Sequence, residues 1–184
     1  NFVDGDPHED WDMPLDYYVW AVVGDGRTFV VDTGFDAPMA KKRDRKIVHP
    51  VEQGLEAVGI RHFDVKGVVI THMHYDHCGN GALFPKARFH VQDTEMEYVT
   101  GRCMCHHQLN HVFEADDVSR MVHRVFAGRM QFHDGTDELA PGITLHKIGG
   151  HTQGLQRGRV ATERGPLVLA SGAAHFYAHF ESRR

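Results

Sequence analysis

Residues 71–77 read Thr-His-Met-His-Tyr-Asp-His, and they follow the apolar run Val68-Val69-Ile70 directly. A buried strand that empties into three imidazoles and a carboxylate leaves the chain few options. With strands and helices alternating along the rest of the chain, this suggests a mixed α/β layered domain with functional loops at strand ends. His72 and His74 are two residues apart, so in an extended segment they project to the same side. Asp76 and His77 follow where the chain turns, with Gly79 and Gly81 permitting the bend. Neutral imidazoles and a carboxylate in one loop suit a divalent cation.

A second segment, Gly149-Gly150-His151-Thr152, follows another strand-like run, and its glycines let the backbone approach closely. The natural grouping is His72, His74 and His151 on one metal, because three histidines plus water make an open catalytic zinc site. The 16 histidines of the 184-residue chain agree with this grouping, although a lone histidine would be read as a polar loop residue.

The remaining pattern is mixed. Strands are expected over residues 17–23, 28–31, 65–70, 87–91, 131–132, 143–148, 159–162 and 167–170, and helices over 50–58, 93–99 and 114–126. In the last helix, Val118, Met121, Val122 and Val125 recur at helical spacing and read as core. The basic run at residues 41–46 reads as a solvated loop. No repeat or linker divides the chain, so residues 1–184 read as one domain.

Net charge is −5, which favours neither nucleic acid nor an anionic membrane surface, and no apolar run approaches a membrane span. Three cysteines, Cys78, Cys103 and Cys105, form no disulfide framework and point to a reducing, cytoplasmic setting. Cys103-Met104-Cys105-His106-His107 lacks the spacing of structural zinc sites and reads as a loop or helix near the substrate entrance. His49, His62, His123 and His146 have no spacing partner and read as surface or packing residues.

Taken together, Asp32-Thr33-Gly34, the Thr71–His77 segment, Gly149-Gly150-His151 and the stretch from Leu167 to His175 resemble the metallo-β-lactamase superfamily. Within it the chain is similar to the N-acyl-homoserine lactonase-like branch. The phrases that carry this are residues 71–80, Leu83-Phe84-Pro85-Lys86-Ala87, and Leu169-Ala170-Ser171 followed by His175-Phe176-Tyr177. The resemblance implies a metallo-β-lactamase-like αββα sandwich, read here as incomplete at both ends, with two zinc ions per site. By position it assigns His72, His74 and His151 to the first metal, and Asp76 and His77 to the second. Asp32 would orient ligands from behind, or alternatively only stabilise a strand-end turn. His175 and Tyr177 are candidates to contact substrate from the strand-end loop, with a plain loop residue as the other reading of His175. Trp11, Met13, Tyr17 and Trp20 are candidates for an acyl pocket, with core or dimer packing as the plainer reading.

The implied reaction is quorum-quenching hydrolysis: metal-bound hydroxide opens the lactone ring of an N-acyl-homoserine lactone, and Asp76 shuttles a proton to the leaving oxygen. A small acyl lactone is the expected partner, with no nucleic acid or membrane and with a homodimer as a further expectation. Two alternatives stay open. One is another hydrolase on this scaffold, acting on a different lactone, a thioester or a β-lactam; the other is a degenerate metal-binding fold.

The sequence departs from the family at one telling point. Where the family places a bridging aspartate this chain has Gly172, followed by Ala173 and Ala174. The family's final histidine ligand also has no counterpart motif before Arg184, and the ending Glu181-Ser182-Arg183-Arg184 shows no closing element, so the chain reads as a fragment or as one with unresolved ends. The first metal site is therefore expected to fill, and the second to be weak or empty.

Overall fold

The computed structural model describes residues 15–175. Tyr177, Trp11 and Met13 lie outside the described residues.

Among the described residues, nine strands form two sheets. The first has the order β1-β2-β3-β4-β5, and the second has β6-β7-β8-β9. Strands β1 (Trp20–Gly24) and β2 (Arg27–Val31) form an antiparallel hairpin across Asp25-Gly26, both at positive φ. Strand β2 then runs parallel to β3 (Gly67–Val69), β3 to β4 (Arg88–Gln92), and β4 to β5 (Met130–His133). The second sheet, β6 (Thr136–Ala140), β7 (Ile143–Lys147), β8 (Gln156–Thr162) and β9 (Gly165–Leu169), is antiparallel throughout.

Six α-helices lie between these strands among the described residues: α1 (Ala37–Lys42), α2 (Val51–Ala57), α3 (Tyr75–Cys78), α4 (Asp93–Thr100), α5 (His107–Asn110) and α6 (Ala115–Phe126). The strand alternation of apolar residues sets the layers. Val30, Val68 and Phe89 face Leu55 of α2, Val99 of α4 and Met121 of α6 in the main core. One residue on, Val31 and Val69 turn to the opposite face and pack against Leu145 and Leu169 of the second sheet. Residues such as Phe84, Phe89 and Ile70 are wholly buried, and each removes side-chain surface worth about 1.5–3 kcal/mol. Two sheets face to face with helices outside the first give three of the four layers expected of the αββα sandwich among the described residues.

Several local expectations need correcting. The basic run is not all loop. Lys41 and Lys42 close α1, whose start is capped by Asp36 accepting from the Met39 N–H, and Lys42 and Arg43 both reach the Glu114 carboxylate, at 2.7 and 2.5 Å. Strand β6 was not expected, because Thr136, Asp137 and Glu138 are exposed and show no apolar alternation. In α6 only Met121 of the predicted stripe is fully buried; Val125 is exposed at the helix's far end.

The parallel strands deliver the site. Strands β2, β3 and β4 all run in one direction, and their carboxyl ends lead into Asp32, into Thr71–His77 and into α4. Crevices at such ends are where open α/β sheets bind ligands.

Candidate metal centre

Asp32 takes the chain out of β2 at φ 62°, a left-handed conformation that aspartate tolerates better than most residues. Its side chain is fully buried and spends its acceptors on the histidine loop. Oδ1 accepts from the Thr71 N–H at 2.7 Å and the Thr71 hydroxyl at 2.9 Å, while Oδ2 lies 2.8 Å from His77 Nδ1. Backbone bonds add to this seam: Thr33 N–H donates to His77 O at 2.7 Å, and Gly79 N–H to Gly34 O at 2.9 Å. A Cβ at Gly79 would lie 2.9 Å from Gly34 O, so the two loops approach closely because position 79 is glycine.

Beyond β3 the chain bends at Thr71 and reaches His74, whose own backbone is extended, just before the single turn of α3, with His72 Nε2 3.1 Å from His74 Nδ1. This places His72 and His74 on one side, as their spacing requires. The second segment reaches the same place by a tight turn in which Gly149 and Gly150 both adopt positive φ, 71° and 91°. His151 follows. The donor atoms of His72, His74 and His151 all lie within 4.8 Å of one another, and among the described residues no other cluster of histidine, cysteine or acidic side chains is placed to hold a metal. Cys103, Cys105, His106 and His107 are not gathered in this way.

The rings crowd together. His72 is 4.5 Å from His74, 4.0 Å from His77 and 4.8 Å from His151 between centroids; His175 stands 5.1 Å from His151. Burial, and then the neighbouring imidazoles, depress the basicity of His72 well below the ordinary range. The same causes bring His74 to about 3 and His151 to about 4. All three are neutral at pH 7, the state in which imidazole ligates a metal. The donor set, neutral nitrogens from three converging rings, fits zinc.

His77 differs. Burial opposes its charge, but the carboxylates of Asp32 and Asp76 outweigh that and raise it to about 10. Its Nδ1 faces Asp32 and its Nε2 lies 3.0 Å from Asp76 Oδ2. The two residues the resemblance assigns to a second metal are thus closed on each other.

Gly172 is buried in a single 3-10 turn after β9, behind Ser171, which adopts φ 48°. A Cβ built there would lie 2.6 Å from His151 Cδ2 and 3.2 Å from His72 Cε1. Position 172 therefore aims directly among the ligand rings. Ser171 joins the Asp32 seam, its hydroxyl 2.7 Å from that of Thr71.

Two further residues were not singled out from the sequence: Glu95 bonds both histidine segments, and Gln156 donates to Ile70 O and His90 O at 2.8 and 3.1 Å. No local motif marks either of them, whereas Ser171, which completes the seam, belongs to the Leu169-Ala170-Ser171 phrase.

Comparison with known proteins places this geometry in context. An N-acyl homoserine lactonase of Bacillus sp is 26% identical over 129 residues, 70% of this chain and 46% of that protein. The N-acyl homoserine lactonase AiiA of Bacillus thuringiensis subsp. kurstaki is 26% identical over 134 residues, again 46% of its length. The chain thus spans about half the length of the curated relatives it matches. Among solved structures, an N-acyl homoserine lactone hydrolase with the product N-hexanoyl-L-homoserine at its catalytic metal centre superposes with a TM-score of 0.75. It is 20% identical, covering 92% of this chain and 68% of that one. AidC, a dizinc quorum-quenching lactonase, gives 0.63 at 17% identity over 84% of this chain and 55% of its own. The sequence model of the metallo-β-lactamase superfamily matches residues 12–170, and with the two-sheet fold and the three converging histidines already in view, the chain belongs to that superfamily.

Proposed function

We propose that this chain is a metal-dependent hydrolase that opens the lactone ring of N-acyl-homoserine lactones. The observation that carries the reading is the convergence of His72, His74 and His151, whose donor atoms fall within 4.8 Å of one another at the ends of the parallel strands. The lactonase relatives, and the product named in one neighbour, supply the substrate class.

His72, His74 and His151 would hold one zinc ion, which when bound lowers the pKa of water to about 7 and polarises an acyl carbonyl. Around it the chain's own residues set geometry and charge. Asp32 fixes Thr71 and thereby the start of the ligand loop. Asp76, 15% exposed on its side chain, is the carboxylate nearest solvent beside His77 and would pass a proton to the departing ring oxygen. His175, packed beside His151, would meet the substrate at the rim. Tyr177 retains the same role as a proposal.

Asp76 and His77 would serve a second metal only weakly. They pair with each other, and Gly172 contributes no carboxylate between the two positions. Gly172 also favours a second reading, a metal-binding member of the fold with little turnover.

The test is hydrolysis of N-hexanoyl-homoserine lactone by zinc-loaded and chelator-treated protein. The proposal expects ring opening that requires zinc and is lost in His74→Ala. Zinc uptake without any turnover of this lactone, alongside turnover of a thioester or β-lactam, would replace the substrate assignment; zinc uptake with no turnover at all would favour the binding fold.

A further inference from the structure

Glu95 is the third residue of α4, and its side chain is wholly buried. Its carboxylate accepts three hydrogen bonds. Oε1 accepts from the Met73 N–H at 2.8 Å; Oε2 accepts from the Thr152 hydroxyl at 2.6 Å and from the Gly154 N–H at 3.0 Å. Met73 stands between His72 and His74, and Thr152 follows His151. One carboxylate therefore touches both chain segments that carry the three converging imidazoles.

The contact is also built into the backbone. A Cβ at Gly154 would lie 2.2 Å from Glu95 N and 2.5 Å from its Cα, so the loop after His151 docks on α4 only because position 154 is glycine. Thr152 is buried as well, which removes water as a competing partner. Gln156 ties the same two segments further back, with its N–H donating to Thr71 O at 2.9 Å. Glu95 is the tie closest to the ligands.

The chemistry of the tie is unusual for a purely structural link. Burial raises the carboxyl of Glu95, and its three donors are neutral groups. A buried carboxylate is costly unless hydrogen-bonded and near positive charge. A cation among His72, His74 and His151 would provide such charge, and groups that orient metal ligands from behind commonly change affinity 10–100-fold when replaced.

We infer that Glu95 is the positioning residue of the metal centre: its carboxylate fixes the His72–His74 segment against the His151 loop and so sets the affinity for zinc. This rests on the metal-site reading above and goes one step beyond it.

The experiment measures zinc dissociation constants by competition with a chromophoric chelator, at a temperature where the metal-free proteins are folded. Four proteins are compared: the unaltered chain, Glu95→Gln, Thr152→Val and Leu145→Ala. Gln keeps one carbonyl acceptor but turns an amide N–H₂ toward donors, so zinc binding should weaken by about 10–100-fold. Val at 152 removes one donor and should weaken it by about three- to tenfold. Leu145 packs between the sheets, so its truncation lowers the thermal midpoint and leaves zinc affinity unchanged. Cobalt(II) loading adds a spectroscopic signature, since a displaced His151 alters the visible absorption of the bound ion.

Zinc affinities of Glu95→Gln and Thr152→Val within twofold of the unaltered chain would overturn the inference, whatever their stability. If Glu95→Gln does not fold, Thr152→Val decides alone. An unaltered chain that binds no zinc would instead overturn the metal-site reading, and this inference with it.

Discussion

A side chain at position 172 would begin 2.6 Å from Cδ2 of His151. In this chain the space is taken by the imidazole, and the backbone of Gly172 lines the ligand cluster without contributing to it. A missing side chain at one position thus bears directly on how many metals the centre holds.

Gly172→Asp should raise zinc content from near one to near two per chain, because it supplies a carboxylate between the first ligand set and the Asp76–His77 pair. His151 must rotate to admit it. Gly172→Ala separates the two effects: it adds the steric demand without the charge, and should weaken the first zinc rather than add a second. Elemental analysis of both variants is the check, and an unchanged count in Gly172→Asp would refute the role assigned to position 172.

Asp32→Ala should destabilise the metal-free protein. It strips the buried Thr71 N–H of its acceptor and takes the carboxylate away from the Thr71 hydroxyl and from His77 Nδ1, which keep Ser171 Oγ at 2.7 and 3.5 Å. Each buried group left unpaired costs about 1–3 kcal/mol. Urea unfolding should show a loss on the order of 2–4 kcal/mol with an unchanged slope. A loss below about 0.5 kcal/mol would mean the seam tolerates its removal.

Much of the site was legible because its information is local. His72, His74, Asp76 and His77 fall within six residues behind one apolar strand, and that spacing has few other uses. The glycines before His151 announced a tight approach, and the structure shows them at positive φ. Glu95 was invisible for the opposite reason. Its partners stand 22, 57 and 59 residues away, and in sequence it is one acidic residue in a helix start that acidic residues favour anyway. Strand β6 was missed because an edge strand with exposed Asp137 and Glu138 carries no apolar period.

His90 predicts a pH dependence that the metal does not share. It lies between the sheets with Nδ1 3.0 Å from His133 Nε2, and burial, then the neighbouring His133, lower it from 6.5 to about 4. A base weakened by folding binds more protons when unfolded, throughout the interval between those values. Stability is therefore complete above about pH 6.5 and falls as the pH drops toward 4. His90 alone should remove on the order of 1–2 kcal/mol between pH 7 and pH 5. Chemical denaturation at both values, compared with His90→Asn, measures it; equal pH slopes in the two proteins would assign the effect to other groups.

Zinc should raise the thermal midpoint of the unaltered chain, because a ligand bound only by the folded state stabilises it by about 2.7 kcal/mol at a hundredfold excess over its dissociation constant. His151→Ala should abolish that shift while leaving the metal-free midpoint nearly unchanged, since His151 is exposed. A full zinc shift in His151→Ala would remove this residue from the ligand set.

The central claim is that His72, His74 and His151 together hold one metal ion. It is tested most directly by zinc per chain, measured by elemental analysis after loading and desalting, in the unaltered protein and in His72→Ala. The account predicts a value near one that falls near zero in the variant. A value near two in the unaltered protein, or one that survives the loss of His72, would contradict it.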